Sequence, residues 1–298
     1  MGTQDLMRLV CSHIIFSYKC HKYYPSLINT GFTDNALLTS FLDPYMNYSC
    51  GYWKDAKDLT EAQRNKMELI ARKLKLKPGM RVLEIGCGWG GLSRYLAENY
   101  KVHVVGVTNS LEGATHAKEF CAGLNVEIRL QDYREVDETF DRIVSVEFFE
   151  YVGPGRYREF FEIVERNLAK NGLFLLQTVG HDQTSEMPQT DPWLTKYMFP
   201  DLYLPNHKDV PKCIDNLFTI EDWHNIGAHY DKTLMAWYAN FVKNWPSIVN
   251  KFEDADRVFR ILTYYMMFCA GCFRARKTQV WQVVLSKQGF PGGYSSVR

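Results

Sequence analysis

The spacing of apolar positions changes several times along this chain, and each change marks an element. Residues 6–16 carry apolar side chains near helical spacing and predict a helix, read as a cap on the main domain. Composition turns loop-like around residues 29–35. From Thr60 to Leu76, Met67, Ile70, Ala71 and Leu74 share one helical face, and Pro78-Gly79 ends the helix. The rhythm then shortens. Strands are predicted over 81–85, 102–107, 126–130, 140–146 and 172–178, with helices over 92–99, 111–121 and 157–168 between them. Such alternation predicts an α/β domain with a mostly parallel, doubly wound sheet. After Gly180 the alternation stops. Residues 181–275 are rich in Trp, Tyr, Phe, Met and Pro and read as a mostly helical insertion over the carboxyl edge of the sheet. Residues 278–285 read as a last strand returning to it.

Composition narrows the classes. The balance of 35 basic against 34 acidic residues gives no whole-chain argument for a nucleic-acid partner. No apolar run approaches the roughly 20 residues that span a bilayer. No secretory signal is visible near the first residue, so the eight cysteines read as thiols of a cytoplasmic protein, free to sit peripherally on a membrane. Cys269-Ala-Gly-Cys272 is a lone C-x-x-C with no second pair nearby. It reads as small residues on a packed helix, and no metal site is expected.

The first chemistry lies at the end of the first strand. Glu84-Ile-Gly86-Cys-Gly88-Trp-Gly90-Gly91 places glycines between a strand and a helix, where a tight turn lets backbone approach a ligand. The stretch also satisfies G-x-G-x-x-G, the nicotinamide fingerprint. Glu84 inside the strand favours a methyltransferase loop. So does Thr108-Asn109-Ser110 at the end of the second strand, where a dinucleotide enzyme places an acidic ribose ligand. A purely structural turn is the bland alternative.

Further blocks follow in order: Tyr48-Ser-Cys-Gly-Tyr-Trp53, Leu76 through Gly91, Leu130-Gln-Asp-Tyr-Arg134, residues 140–146, Phe149-Glu-Tyr-Val-Gly-Pro154, residues 191–200, Leu204-Pro205, residues 221–231, Met235-Ala-Trp-Tyr238 and Phe273-Arg-Ala-Arg276. This ordered set resembles the cyclopropane-fatty-acyl-phospholipid synthases over roughly residues 40–290. The resemblance implies a Rossmann-like class I methyltransferase fold with an N-terminal helical cap (1–60), a donor-binding core (61–180), a helical lid insertion (181–275) and a return strand with tail (276–298). It implies S-adenosylmethionine as methyl donor. The acceptor it implies is a cis double bond in an unsaturated phospholipid at a membrane surface, and the product is a cyclopropane. Oligomeric state stays open, a homodimer included. A methyltransferase acting on a small amine or alkene is the alternative.

The resemblance also implies a site. A bicarbonate ion serves as the base that removes a proton from the carbocation. Carried over by position, its holders are Cys50, Glu150, Gln177, Val179 and Tyr238. The donor contacts are Tyr48, Ser49, Glu84, Gly86, Gly88, Gly90, Thr108, Ser110, Gln131, Asp132 and Tyr133. A carbocation requires a pocket poor in water and gains from aromatic faces, for which Tyr48, Tyr52, Trp53, Trp237 and Tyr238 are candidates. Three positions depart from the family pattern. Gln177 replaces a histidine and cannot carry charge. Tyr151 replaces a histidine that related amine methyltransferases use as a base. Gly113 replaces a ribose-binding glutamine, leaving Thr108, Ser110 or a neighbour to compensate. Lys66, Arg72, Lys73, Lys75 and Lys77 read either as a solvated helix face or as a surface against anionic lipid.

Overall fold

The computed structural model describes residues 35–182 and 191–298. The helix expected over 6–16, and most of the loop-like stretch after it, lie outside the described residues. Of the segment read as a cap, residues 35–60 hold one short helix, α1 (Asn35–Thr39), an irregular stretch, and the start of α2 (Leu59–Lys73). Asp58 begins α2 by accepting the Glu61 N–H at 2.8 Å, and the Glu61 carboxylate accepts the Lys57 N–H in return.

The α/β core follows as β1 (Arg81–Ile85), α3 (Gly91–Tyr100), β2 (His103–Thr108), α4 (Leu111–Phe120), β3 (Val126–Leu130), β4 (Phe140–Val146), α5 (Tyr157–Asn167) and β5 (Leu168–Gly180). Then come α6 (Pro192–Tyr197), α7 (Asp209–Cys213), β6 (Thr219–Asn225), α8 (Ala228–Ile248), α9 (Ala255–Arg274) and β7 (Gln279–Ser286). The seven strands form one sheet in the order β3-β2-β1-β4-β5-β7-β6. Strands β1 to β5 pair in parallel, and β7 runs antiparallel between β5 and β6. Central strands such as β1 and β4 are covered on both faces, which is why apolar residues predominate in them, with Glu84, Arg142 and Ser145 as buried polar exceptions. Helices α8 and α9 pack together with α1 into a second apolar cluster around Trp237, Phe241 and Leu262. Among the described residues no helix is long and apolar enough to cross a membrane.

One expectation gains a detail and another is corrected. The segment 181–275 is mostly helical over its described residues, and β6 within it adds an edge strand to the sheet. Its sequence, Thr-Ile-Glu-Asp-Trp-His-Asn, is mostly polar since most of it faces out, and only Asp222 within it is buried. The second concerns the basic face of α2. Lys66 and Lys73 are 1% and 0% exposed and touch neither solvent nor lipid. Lys66 donates to Ser49 Oγ at 2.7 Å and Asn47 Oδ1 at 3.2 Å. Lys73 pairs with Asp222 at 3.2 Å and meets His224 Nδ1 at 3.1 Å. Burial lowers the pKa of both lysines. Arg72 and Lys77 do stay exposed.

Candidate active site

The glycine loop closes one side of a cavity of about 620 Å³ at the carboxyl ends of β1, β2, β4 and β5. That is the place where open α/β sheets bind ligands. Gly86, Gly88 and Gly90 hold left-handed backbone, with φ of 80°, 51° and 84°. The loop is also crowded: a Cβ on Gly86 would lie 2.6 Å from the Phe148 ring, and one on Gly91 would lie 2.0 Å from the Tyr45 carbonyl oxygen. Glu84, at the end of this loop's strand, is buried and accepts a short bond from Ser93 Oγ. Burial pushes its carboxyl up to about 7.

The cavity has two characters. Its polar half is lined by Gly86, Gly88, Thr108, Ser110, Tyr48 and Ser49, all expected donor contacts. Gln131, Asp132 and Tyr133 are not brought into this wall. Asp132 is held by Arg134, and Tyr133 is buried against Phe148 and Phe160. Gly113 is explained by packing. A Cβ there would stand 2.9 Å from the Gly88 carbonyl oxygen, so a side chain would push α4 off the donor loop. The neighbouring Glu112 lines the cavity instead.

The other half is apolar, walled by Leu194, Phe199, Leu202, Leu204, Phe268 and Phe273. These come from the segment after β5 and from α9. Of the aromatics expected there, only Tyr48 lines the cavity. Trp237 is core beneath Tyr48, Tyr52 packs on His224 and His229, and Trp53 donates to Thr233. Tyr230 and Tyr265 supply the aromatic wall instead. Cys269 and Cys272 also line it as free thiols, and among the described residues no cluster is arranged to hold a metal ion.

Two buried carboxyl groups also line the cavity. Glu150 sits in a single 3₁₀ turn, Phe149–Tyr151, and is 2% exposed. One of its oxygens accepts the Val179 N–H and the other has no hydrogen-bond partner. Glu147, which no sequence motif singled out, directly follows β4 in left-handed backbone with φ of 51°. Its carboxylate accepts the Cys50 N–H at 2.9 Å, Gln177 Nε2 at 2.9 Å and the Tyr230 hydroxyl at 2.7 Å. The Gln177 amide is oriented for this, because its oxygen accepts from Gln282 Nε2 at 2.9 Å. Burial raises the pKa of both glutamates; the Glu147 charge adds to the rise at Glu150, which reaches about 8, whereas the three donors oppose the rise at Glu147.

Tyr238 does not belong to this group. It lies two helical turns beyond Tyr230 on α8, partly buried against the second core. The set expected to hold bicarbonate is therefore already engaged. The Cys50 and Gln177 N–H groups serve Glu147, the Val179 N–H serves Glu150, and the Cys50 thiol donates to the Gly51 carbonyl. A further anion would meet two carboxyl groups rather than free donors, so these residues do not fit it.

A family model described as mycolic acid cyclopropane synthetase matches residues 32–283. The chain belongs to this family. It is 53% identical over 253 residues to the cyclopropane-fatty-acyl-phospholipid synthase of Escherichia coli K12, covering 85% of this chain and 65% of that relative's length. Its fold matches the cyclopropane synthase MmaA2 of Mycobacterium tuberculosis with a TM-score of 0.80 at 30% identity, over 85% of this chain and 94% of the other. A family structure complexed with SAH and CTAB, the mycolic acid cyclopropane synthase CmaA1, matches with a TM-score of 0.80 at 32% identity, over 88% and 97%. The fold is that of the class I methyltransferases, as the family resemblance implied.

Proposed function

We propose that this chain transfers the methyl group of S-adenosylmethionine to a cis double bond of an unsaturated phospholipid acyl chain and closes a cyclopropane ring. One observation carries this reading: a single cavity joins the glycine loop, Thr108 and Ser110 to an apolar wall, and the carboxyl groups of Glu147 and Glu150 line it. The donor supplies an electrophilic methyl sulfonium. This chain's residues do the rest. The glycine loop and Ser49 hold the donor, and Glu112 takes the ribose in place of the family's glutamine. The apolar wall excludes water that would trap the carbocation as an alcohol. Tyr48, Tyr230 and Tyr265 line the cavity as aromatic groups that stabilise the cation. The carbocation then loses a proton from the new methyl, and the freed C–H electrons close the ring. Bicarbonate takes no part in this reaction, since its expected donors are engaged by Glu147 and Glu150.

Access from a membrane surface fits the outside of the cavity. Tyr264, 44% exposed on α9, stacks on the cavity residue Phe268 at 5.7 Å and meets Trp193 at 4.2 Å. An aromatic shelf of this kind suits the headgroup level of a bilayer.

The test uses a donor with a fully deuterated methyl, mixed unsaturated phospholipids and mass spectrometry of the lipids. A cyclopropane product keeps two of the three deuterons. An N-methyl product keeps all three and would establish the small-molecule alternative. No labelled lipid, under conditions where a family member works, rejects the proposal. Glu112→Ala is expected to weaken donor binding by about 10- to 100-fold, the loss of one or two hydrogen bonds to a charged acceptor. Calorimetric titration with S-adenosylhomocysteine checks this, and unchanged affinity would remove Glu112 from the ribose site.

A further inference from the structure

We infer that the Glu147 carboxylate is a catalytic residue, the built-in base for ring closure, taking the position that this family is expected to give to an exchangeable bicarbonate ion. The inference rests on the proposed reaction. It stands on geometry. Glu147 lines the cavity beside Tyr48 and Ser49 at its polar half and Tyr230 and Leu234 at its apolar half. The N–H groups of Cys50 and Gln177, two of the groups assigned to the ion, point at one of its oxygens, and the Tyr230 hydroxyl binds the other. A carboxylate offers about four lone-pair sites. Three are taken, and one remains for a proton from the substrate.

The departures from the family pattern support one another here. A neutral glutamine at position 177 fits a fixed carboxylate as neighbour. Its amide cannot compete for the proton, and Gln282 fixes which end faces Glu147. The backbone tells the same story. A left-handed glutamate costs about 1–2 kcal/mol relative to ordinary backbone, so three donors hold it where local preference does not. The chemical step balances. The C–H bond of the transferred methyl breaks, its electron pair forms the ring bond, and the proton binds Glu147. Glu150, whose free oxygen lies in the same cavity wall, holds the second proton site through which it leaves.

The experiment has two arms. In the first, turnover is measured in carbon-dioxide-free buffer with and without added bicarbonate. The wild type is expected to change by less than about twofold, and Glu147→Gln to lose about 10²- to 10⁴-fold, the range for a positioned base. Glu147→Gly suits the local backbone and is expected to lose as much without bicarbonate and to regain part with it. Wild-type turnover that needs bicarbonate, or an active Glu147→Gln, overturns the inference. The second arm needs no turnover. Carbon-13-labelled bicarbonate is added to the protein with S-adenosylhomocysteine, and binding is read from its NMR line. Binding to Glu147→Gly but not to the wild type is expected. Binding to the wild type overturns the inference even if no cyclopropane is ever formed, and a wild type inactive on every lipid but blind to bicarbonate overturns only the proposed reaction.

Discussion

Glu150→Gln is expected to lower turnover by at least about 10²-fold while leaving S-adenosylhomocysteine affinity within a factor of about two. The glutamine keeps the oxygen that accepts the Val179 N–H, so the turn at 149–151 is held as before. What it loses is the acid. Two carboxyl groups in one low-dielectric cavity do not both ionise. Glu147 has three donors and Lys66 nearby to favour its charged form, whereas burial and the charge of Glu147 push the Glu150 carboxyl up, toward its protonated form. The amide neither accepts nor releases a proton, so the proton taken at ring closure has nowhere to go. Product formation by lipid mass spectrometry and donor affinity by calorimetry separate the outcomes. Equal loss of both would show that Glu150 holds the fold of the site and has no part in the chemistry.

Asp222→Leu is expected to destabilise the protein by about 3–5 kcal/mol, the cost of stranding one partner of a buried ion pair. Asp222 binds Lys73 and accepts two bonds from Arg298 and one from Ser296. Burial alone would raise its carboxyl, but the Arg298 and Lys73 charges overcome this and hold it at about 2. Without it, Arg298 turns to water, being 42% exposed at its side chain, while Lys73 at 0% stays inside. His224 is left beside it, and burial, with the Lys73 charge, already lowers that imidazole to about 4. The sign of the pH dependence follows. Lys73 in the folded variant binds its proton less tightly than in the unfolded chain, so the penalty is full at neutral pH and eases as pH rises toward 10. Urea denaturation at pH 7 and pH 9 measures both effects. Lys73→Met added to Asp222→Leu is expected to restore most of the loss, and no recovery would assign the damage to packing of β6 instead.

Much of the core was legible in sequence, because strands buried on both faces are mostly apolar and the glycine loop punctuates them. What escaped shares one cause: burial supplied by distant partners. β6 is an edge strand of mostly polar residues, so it carries no apolar strand pattern and is absorbed in sequence into the helical insertion. Lys66 and Lys73 read as a wet helix face, since Asp43, Asn47 and Ser49 on one side and Asp222 on the other are invisible to local periodicity. Tyr238, the position the resemblance points to, and Tyr230 both sit on α8, eight positions apart, and of the two Tyr230 lines the cavity. Glu147 carried no signal at all, for its left-handed backbone is not marked by a glycine.

That last feature bears on how such a site changes over generations. A position in left-handed backbone accepts glycine freely, and glycine and glutamate codons can differ by a single base. On the role assigned to Glu147, a base recruited from solution and a base written into the gene are one nucleotide apart in this fold, and dependence on dissolved carbon dioxide becomes a trait that one mutation can drop or restore.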